Sequence, residues 1–264
     1  MTSTTSGTPG VPEGSVRTSV ADGIGTVEFS HPKGNSLPAK LLNELAAAIT
    51  AVGADPAARV IVLRSGGSST FCAGASFDEF TAVTDSAAGQ EFFTGFSRVI
   101  LAMIRAPKFV LTRVQGRAAG GAIGVIAASD YSFAVRAAQV KLSELQVGIG
   151  PFVVGVVIER KLGLASFMNL GVHADWHDAE WCERHGLYSM LCDDAAALDA
   201  AVDAHARRLA DANPDAMREL KKIFWSGTEE WGDRMSARAA MSGRMVLSDF
   251  TRSALDRFRA RAQP

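Results

Sequence analysis

One glutamate has surroundings that could make it a proton carrier. Glu144 lies in the segment V-K-L-S-E-L, where Lys141 is the only nearby charge before it. Burial in apolar surroundings disfavours the charged form of a carboxyl group and raises its pKa, which suits a general base. The alternative is a glutamate facing solvent at a strand end, since glutamate is seldom buried without a partner.

Two loops of small residues could bring main-chain N–H groups to a ligand. The first is F-C-A-G-A-S at residues 71–76, where the glycine permits unusual dihedral angles. The second is G-R-A-A-G-G-A at residues 116–122, where Gly120 is predicted to open a helix. Free N–H groups at a helix start favour negative charge, and the Gly-Gly pair lets an oxyanion reach them. A tight turn and close helix–strand packing are the respective alternatives.

Other motifs for chemistry are weak. The second loop is neither G-x-G-x-x-G nor a P-loop, which disfavours nucleotide-phosphate binding by those routes. His173 and His177 form H-A-D-W-H, without the glutamate of a zinc-binding H-E-x-x-H motif. No G-x-S-x-G string is present, which argues against an α/β-hydrolase triad.

The elements that must position these groups alternate between strand and helix. A hairpin is predicted around A-D-G-I-G, followed by a helix from Pro38 to about Val52. Further predicted elements are strands at residues 59–63, 109–114 and 131–135 and helices at residues 90–105 and 120–128. Such alternation requires crossover connections and predicts a mostly parallel sheet with covered faces. From about Ala195 onward the pattern is helical, at residues 198–210, 214–225 and 228–264.

Composition excludes several classes of protein. The chain has 264 residues, with 27 Lys and Arg against 28 Asp and Glu, so its net charge is −1. This balance argues against a nucleic-acid or membrane-surface partner. Three cysteines without C-x-x-C spacing exclude a disulfide framework and predict a reducing, cytoplasmic setting. No secretory signal is visible at the N-terminus.

The order and spacing of these features resemble the crotonase (enoyl-CoA hydratase/isomerase) superfamily from about Val16 onward. The strings that carry the resemblance are V-E-F-S-H-P-K-G-N-S-L, R-V-I-V-L-R-S, F-C-A-G-A-S, V-Q-G-R-A-A-G-G-A, S-D-Y-S-F-A and A-E-W-C-E-R-H-G-L-Y. The strings G-I-G-P-F-V-V-G and N-P-D-A-M-R-E-L-K-K are similar to a methylglutaconyl-CoA hydratase-like subgroup.

The resemblance implies an α/β fold with a crotonase-type ββα spiral core and a helical C-terminal trimerisation region. We accordingly expect a disordered tail at residues 1–14, the core at residues 15–194 and the helical region at residues 195–264. Apolar helices carrying Phe224, Trp225 and Trp231 would suit the interface of a homotrimer or a dimer of trimers.

The resemblance also implies catalytic roles. Two backbone N–H groups, on Ala75 and Gly121, would bind the thioester oxygen as it becomes an enolate, and Glu144 would carry the proton. The substrate is an acyl-CoA thioester, CoA enters as part of that substrate, and neither a metal nor a redox cofactor is implied.

Four further residues are candidates for substrate binding. Ala73 matches the family's contact to the adenine end of CoA, and Gly120 belongs to the Gly-Gly pair. Ser76 stands where the family usually has aspartate, and the Phe152 N–H is a candidate water holder by family position. We expect the acyl pocket to be walled by residues 80–104 and 152–156, with Phe92, Phe93 and Phe96 restricting its size.

One departure from the family leaves the reaction open. Hydratases of the family carry two glutamates, and the first would fall where this chain has Gly124. Overall similarity favours an enoyl-CoA hydratase, which adds water to a 2-enoyl-CoA of short or branched chain. A single carboxylate also suffices for an enoyl-CoA isomerase, which moves a proton between two carbons. A non-catalytic acyl-CoA-binding protein would be favoured if Glu144 were exposed to solvent.

Overall fold

The computed structural model describes residues 14–262, with side chains up to Arg257, so nearly all of the predicted tail lies outside it. The elements, in chain order, are β1 (Ser15–Ala21), β2 (Ile24–Ser30), α1 (Ala39–Ala54), β3 (Val60–Ser65), β4 (Thr70–Cys72), α2 (Phe77–Thr81), α3 (Ser86–Arg105), β5 (Val110–Val114), β6 (Arg117–Ala119), α4 (Gly121–Ala127), β7 (Tyr131–Val135), β8 (Gln139–Lys141), α5 (Phe152–Leu162), α6 (Leu164–His173), β9 (His177–Asp178), α7 (Ala179–Arg184), β10 (Met190–Cys192), α8 (Ala195–Ala210), α9 (Pro214–Phe224), α10 (Trp231–Met245) and α11 (Asp249–Ala262). A short 3-10 turn, Glu144–Val147, follows β8.

The larger sheet has six strands in the order β1-β2-β3-β5-β7-β10. The predicted hairpin is confirmed: β1 and β2 pair antiparallel through a two-residue turn, in which Asp22 and Gly23 have φ angles of 51° and 76°. Both values are positive, as a type I′ hairpin turn requires. The other neighbours pair in parallel, and β3 is an almost continuous buried apolar run, as a strand covered on both faces should be.

The smaller sheet has the order β4-β6-β8-β9 and positions the loops that could do chemistry. Strands β4, β6 and β8 are parallel neighbours, so their carboxyl ends meet at one edge. Directly after these ends come Ala73, Gly120 and Leu142 respectively. Three distant stretches of sequence are thereby brought side by side.

The C-terminal helices pack on the same chain's core. Helix α10 crosses α3 so closely that a Cβ at Gly89 would lie 2.7 Å from the Gly243 Cα atom. The predicted helix from residue 228 to the end is instead two helices, α10 and α11, separated at residues 246–248. No helix within residues 14–262 is long and apolar enough to cross a membrane.

All three aromatic residues expected at a subunit interface have partners within the chain, since the Phe224 ring stacks on Phe109 with centroids 6.1 Å apart. Trp231 is buried, and Trp225 donates its indole N–H to Asp130 Oδ1 at 2.8 Å. Phe224 is 48% exposed. The two tryptophans therefore hold the C-terminal helices to the core, and only Phe224 of the three has a substantially exposed ring.

Candidate active site

A cavity of about 330 Å³ opens at the edge where β4, β6 and β8 end. It brings together six of the seven residues predicted from sequence: Ala73, Ala75, Gly120, Gly121, Glu144 and Phe152. Most of the remaining lining is apolar and comes from α2, α3 and the segment around α5. A mainly apolar cavity with a few converging polar groups is typical of a small-molecule site.

Glu144 begins the 3-10 turn and contributes its carboxyl group to this cavity. Its Oε2 atom is shut off from solvent and has no hydrogen-bond partner among the described residues. Burial of the charged form raises the pKa of Glu144 to about 7, and a contact with its own backbone N–H lowers that pKa in part. The group can therefore both accept and release a proton near neutral pH.

Ala75 lies in a loop whose other hydrogen bonds engage the residues on either side of it and leave its own N–H unused. The Leu37 N–H donates to the Gly74 carbonyl at 2.8 Å, and the Ser76 N–H donates to the Leu37 carbonyl at 3.3 Å. The Ala75 N–H donates to no group in the described chain. Gly74 has a φ angle of 95°, and a Cβ atom there would lie 3.0 Å from the Ala119 carbonyl oxygen, so glycine is required.

Gly121 supplies the second candidate N–H as the first residue of α4. Gly120 has a φ angle of 56°, and its own N–H is engaged with the Lys141 carbonyl at 2.9 Å. The Gly121 N–H is unpaired within residues 14–262, as expected at a helix start. A Cβ on Gly120 would lie 3.4 Å from Glu144 Oε1, so this glycine lets the acid approach the helix start.

The remaining candidates differ in their placement. Ala73 lines the cavity, and its N–H donates to the Gly34 carbonyl. Phe152 also lines the cavity, but its N–H donates to the Gly150 carbonyl at 2.7 Å, so this N–H is not free to hold water. Ser76 lies outside the lining, where its hydroxyl caps α2 by accepting the Glu79 N–H.

Among the described residues that line the cavity, none supplies a second carboxylate opposite Glu144. At Gly124, a Cβ atom would lie 2.7 Å from Val154 Cγ1 and 3.1 Å from Ile100 Cδ1. Two apolar side chains thus fill the space next to the position where the family's first glutamate would stand. The other polar side chains among the lining residues are neutral: Ser143, Gln146 and Ser242.

Aromatic rings form the wall on the side of α2 and α3, as predicted. Phe80 stacks on Phe92 with ring centroids 5.8 Å apart, and Phe92 meets Phe93 edge-on at 5.0 Å. Phe96 also lines the cavity, and a Cβ on Gly121 would lie 2.6 Å from its ring. These rings leave a restricted apolar space beside the candidate acid.

Some lining residues carried no usable signal in the sequence. Ser242 lies on α10, far along the chain from Glu144. The apolar residues of α10 show which face of the helix is buried, but they do not show that a serine on it lines a cavity. Elsewhere, no cluster of three or more His, Cys, Asp or Glu residues suited to a metal occurs within the described range. His177 has both ring nitrogens near protein oxygens, those of Asp175 and Asn169.

Together, these sheets, crossing helices and the cavity at the smaller sheet's edge define a protein of the crotonase fold. Residues 19–264 match the family model for enoyl-CoA hydratase/isomerase, and the chain belongs to that family. Among solved structures it is similar to an enoyl-CoA hydratase from Bacillus halodurans, with a TM-score of 0.85 and 20% identity over 92% of this chain and 99% of that one.

Two curated relatives have more specific names. A carnitinyl-CoA dehydratase from Citrobacter koseri is 28% identical over 77% of each chain. A mitochondrial methylglutaconyl-CoA hydratase from Rattus norvegicus is 30% identical over 74% of this chain and 63% of the relative. The names of these two relatives both describe addition or removal of water on a CoA thioester, and they differ in the acyl group.

Proposed function

We propose that this chain is an enoyl-CoA hydratase that adds water reversibly across the C2–C3 double bond of a 2-enoyl-CoA. The observation that carries the proposal is the unpartnered, buried Glu144 oxygen in the same cavity as the unpaired N–H groups of Ala75 and Gly121. A buried acid without a partner is costly for a fold, and such groups cluster at functional sites. The names of the relatives support the same reaction class.

In the proposed reaction, Glu144 handles both protons. Its carboxylate accepts a proton from water as the water oxygen bonds to C3, and the electrons of the double bond move to the thioester oxygen. The Ala75 and Gly121 N–H groups stabilise the resulting enolate, a contribution of about 10²–10³ in rate for each donor. Glu144 then returns a proton to C2 on the same face, which gives syn addition.

A second candidate is the isomerase, and the filled space at Gly124 favours it. Because Val154 and Ile100 occupy that space, Glu144 has no carboxylate partner among the described side chains to share the orientation of water. Proton transfer between C2 and C4 needs only one acid–base group. The non-catalytic alternative required a solvent-exposed Glu144, and its Oε2 atom is buried.

The two reactions are separated by incubating the pure protein with 2-enoyl-CoA and 3-enoyl-CoA. Hydration is expected to consume the absorbance of the conjugated 2-enoyl thioester and to incorporate ¹⁸O from labelled water into the product. Formation of that absorbance from the 3-enoyl compound, without ¹⁸O uptake, would instead establish isomerisation. CoA-ester binding without turnover of either compound would favour the non-catalytic alternative.

Three finer expectations belong to this proposal. A short or branched acyl chain is supported by the cavity size and its phenylalanine wall. A homotrimer or dimer of trimers is supported by apolar side chains exposed on α9, namely Leu220, Ile223 and Phe224. A cytoplasmic location is supported by three free cysteines. Sedimentation equilibrium tests the oligomer.

A further inference from the structure

Helix α11 packs directly on the segment that carries the candidate acid. Leu255 of α11 and Val246 just before that helix bury against Phe80, Phe92 and Ile149. Ile149 follows the Glu144–Val147 turn, and its N–H donates to the Glu144 carbonyl at 3.0 Å. The last helix of the described chain therefore contacts both the aromatic wall and the turn that begins at Glu144.

The closest contact is at Gly148, which ends this turn. Gly148 has a φ angle of 85°, and its N–H bonds back to the Leu145 carbonyl. A Cβ atom there would lie 2.4 Å from Thr251 Oγ1 and 2.8 Å from the Phe250 ring. Glycine is thus needed both for the backbone conformation and for the approach of α11.

Thr251 makes this approach specific. Its side chain is fully buried, and its hydroxyl oxygen lies 3.0 Å from the Gly148 carbonyl oxygen and 3.0 Å from the Met245 carbonyl oxygen. The Ser248 hydroxyl lies 3.1 Å away as a donor to the same oxygen. Thr251 has one hydroxyl proton, which the two carbonyls share, so one side chain connects the end of α10, the start of α11 and the Gly148 turn.

The Glu144 side chain depends on this turn for its position. Since Oε2 has no hydrogen-bond partner in the described chain, no such bond fixes that side of the carboxyl group, and the backbone of the turn must supply the orientation. We infer that Thr251 is a positioning residue, which holds the Gly148 end of the turn and so keeps Glu144 directed into the cavity. The inference rests on the proposed hydratase function of Glu144.

The test compares Thr251→Val, which keeps the shape but lacks the hydroxyl, with Thr251→Ser, which keeps the hydroxyl. Misplacement of a reacting group by about 1 Å can cost 10²-fold in rate. We expect Thr251→Val to lower kcat about 10- to 100-fold, with KM and the Kd of butyryl-CoA changed less than about twofold. Thr251→Ser should restore kcat to within about threefold of the wild type.

A matched control separates positioning from general loss of stability. Thr112, on β5, is also fully buried, and its hydroxyl pairs with the Ser129 hydroxyl outside the cavity lining. Thr112→Val is expected to lower Tm while leaving kcat of the folded enzyme within about twofold of the wild type. A similar kcat loss in Thr112→Val and Thr251→Val, or no loss in a folded Thr251→Val, would overturn the inference.

A second readout does not depend on turnover. Hydrogen exchange of residues 144–152 is expected to be at least tenfold faster in Thr251→Val than in the wild type, Thr251→Ser or Thr112→Val. If the wild type turned over no enoyl-CoA, the proposed function would fail, and this exchange pattern would still show whether Thr251 holds the turn. Unchanged exchange in Thr251→Val would reject the positioning role by itself.

Discussion

Two buried carboxyl groups in this molecule have opposite surroundings. Asp130, between α4 and β7, accepts hydrogen bonds from Lys221 Nζ at 2.8 Å, from the Trp225 indole at 2.8 Å and from the Val110 N–H at 2.7 Å. Glu144 has one oxygen with no partner in the described part of the chain. The fold thus satisfies both oxygens of one buried acid and leaves one oxygen of the other without a partner among the described residues.

The difference indicates what each acid does. Lys221 is itself buried, and its ammonium group also donates to the Met103 and Lys108 carbonyls, so the Asp130 cluster ties α9 to the core. Burial lowers the pKa of Lys221, although the neighbouring Asp130 opposes that shift. Around Glu144, the described lining residues include no cation that would offset the burial of a carboxylate. This burial destabilises the charged form, and the raised pKa that results suits proton transfer.

The largest expected effect is on catalysis. Glu144→Gln keeps the shape of the side chain but cannot transfer a proton, so we expect kcat to fall about 10²–10⁴-fold, the range for general acid–base groups. Butyryl-CoA should still bind with nearly wild-type Kd, as measured by calorimetry. Retained turnover in this variant would remove Glu144 from the proposed mechanism.

The matched amide substitution at the other acid should act on stability. Asp130→Asn leaves Lys221 buried without its counter-charge, and breaking a buried pair in this way typically costs about 3–5 kcal/mol. Urea unfolding measures the loss. The control is Asp215→Asn on α9, which removes only an exposed ion pair with Arg218 and is expected to cost less than about 1 kcal/mol. The folded fraction should keep its kcat, because Asp130 lies outside the cavity lining.

Glu144→Gln is expected to stabilise the protein where Asp130→Asn destabilises it. The folded-state pKa of Glu144 is about 7, above its ordinary value of 4.5, so the folded state binds this proton more tightly than the unfolded state does. Stability from this group is therefore present below about pH 4.5 and is lost as pH rises through about 7. The difference between these two pKa values corresponds to about 3 kcal/mol of folding stability. Urea unfolding at pH 5 and pH 8 should show the advantage of Glu144→Gln growing with pH; a constant difference would contradict it.

The sequence predicted most of the larger sheet and its helices because those elements have clear apolar periodicity. The hairpin is found where it was predicted, and the ends of the strands at residues 60–65, 110–114 and 131–135 lie within about two residues of the predicted ends. The three parallel strands that assemble the site span only three residues each, too short for any period to show. Their pairing explains why loops separated by about twenty to seventy residues meet.

Site residues were predictable where a local motif marks them. Ala75, Gly121 and Glu144 each lie in a short characteristic string, whereas the contacts of Ser242 and Thr251 arise from helices that return to the cavity late in the chain. The engaged N–H of Phe152 was also out of reach, because it depends on the local backbone path after Gly150. Long-range packing and exact hydrogen-bond direction are fixed only by the folded structure.

The lack of a cation among the described residues that line the cavity should also decide which acyl groups are accepted. Glu144 is the only ionisable side chain among the described lining residues. Arg238 is outside that lining and donates to the Phe152 carbonyl at 3.2 Å. A second carboxylate in the cavity would lack the partner that Asp130 has, so it should be rejected. We expect kcat/KM for glutaconyl-CoA to be about 10²-fold below that for 5-methylhex-2-enoyl-CoA, whose terminal isopropyl group has the shape of the carboxylate. Equal values, or a preference for glutaconyl-CoA, would show that Arg238 or another cation reaches the acyl chain. In that case, the lack of a cation around Glu144, in contrast to Asp130, would not determine which substrates are accepted.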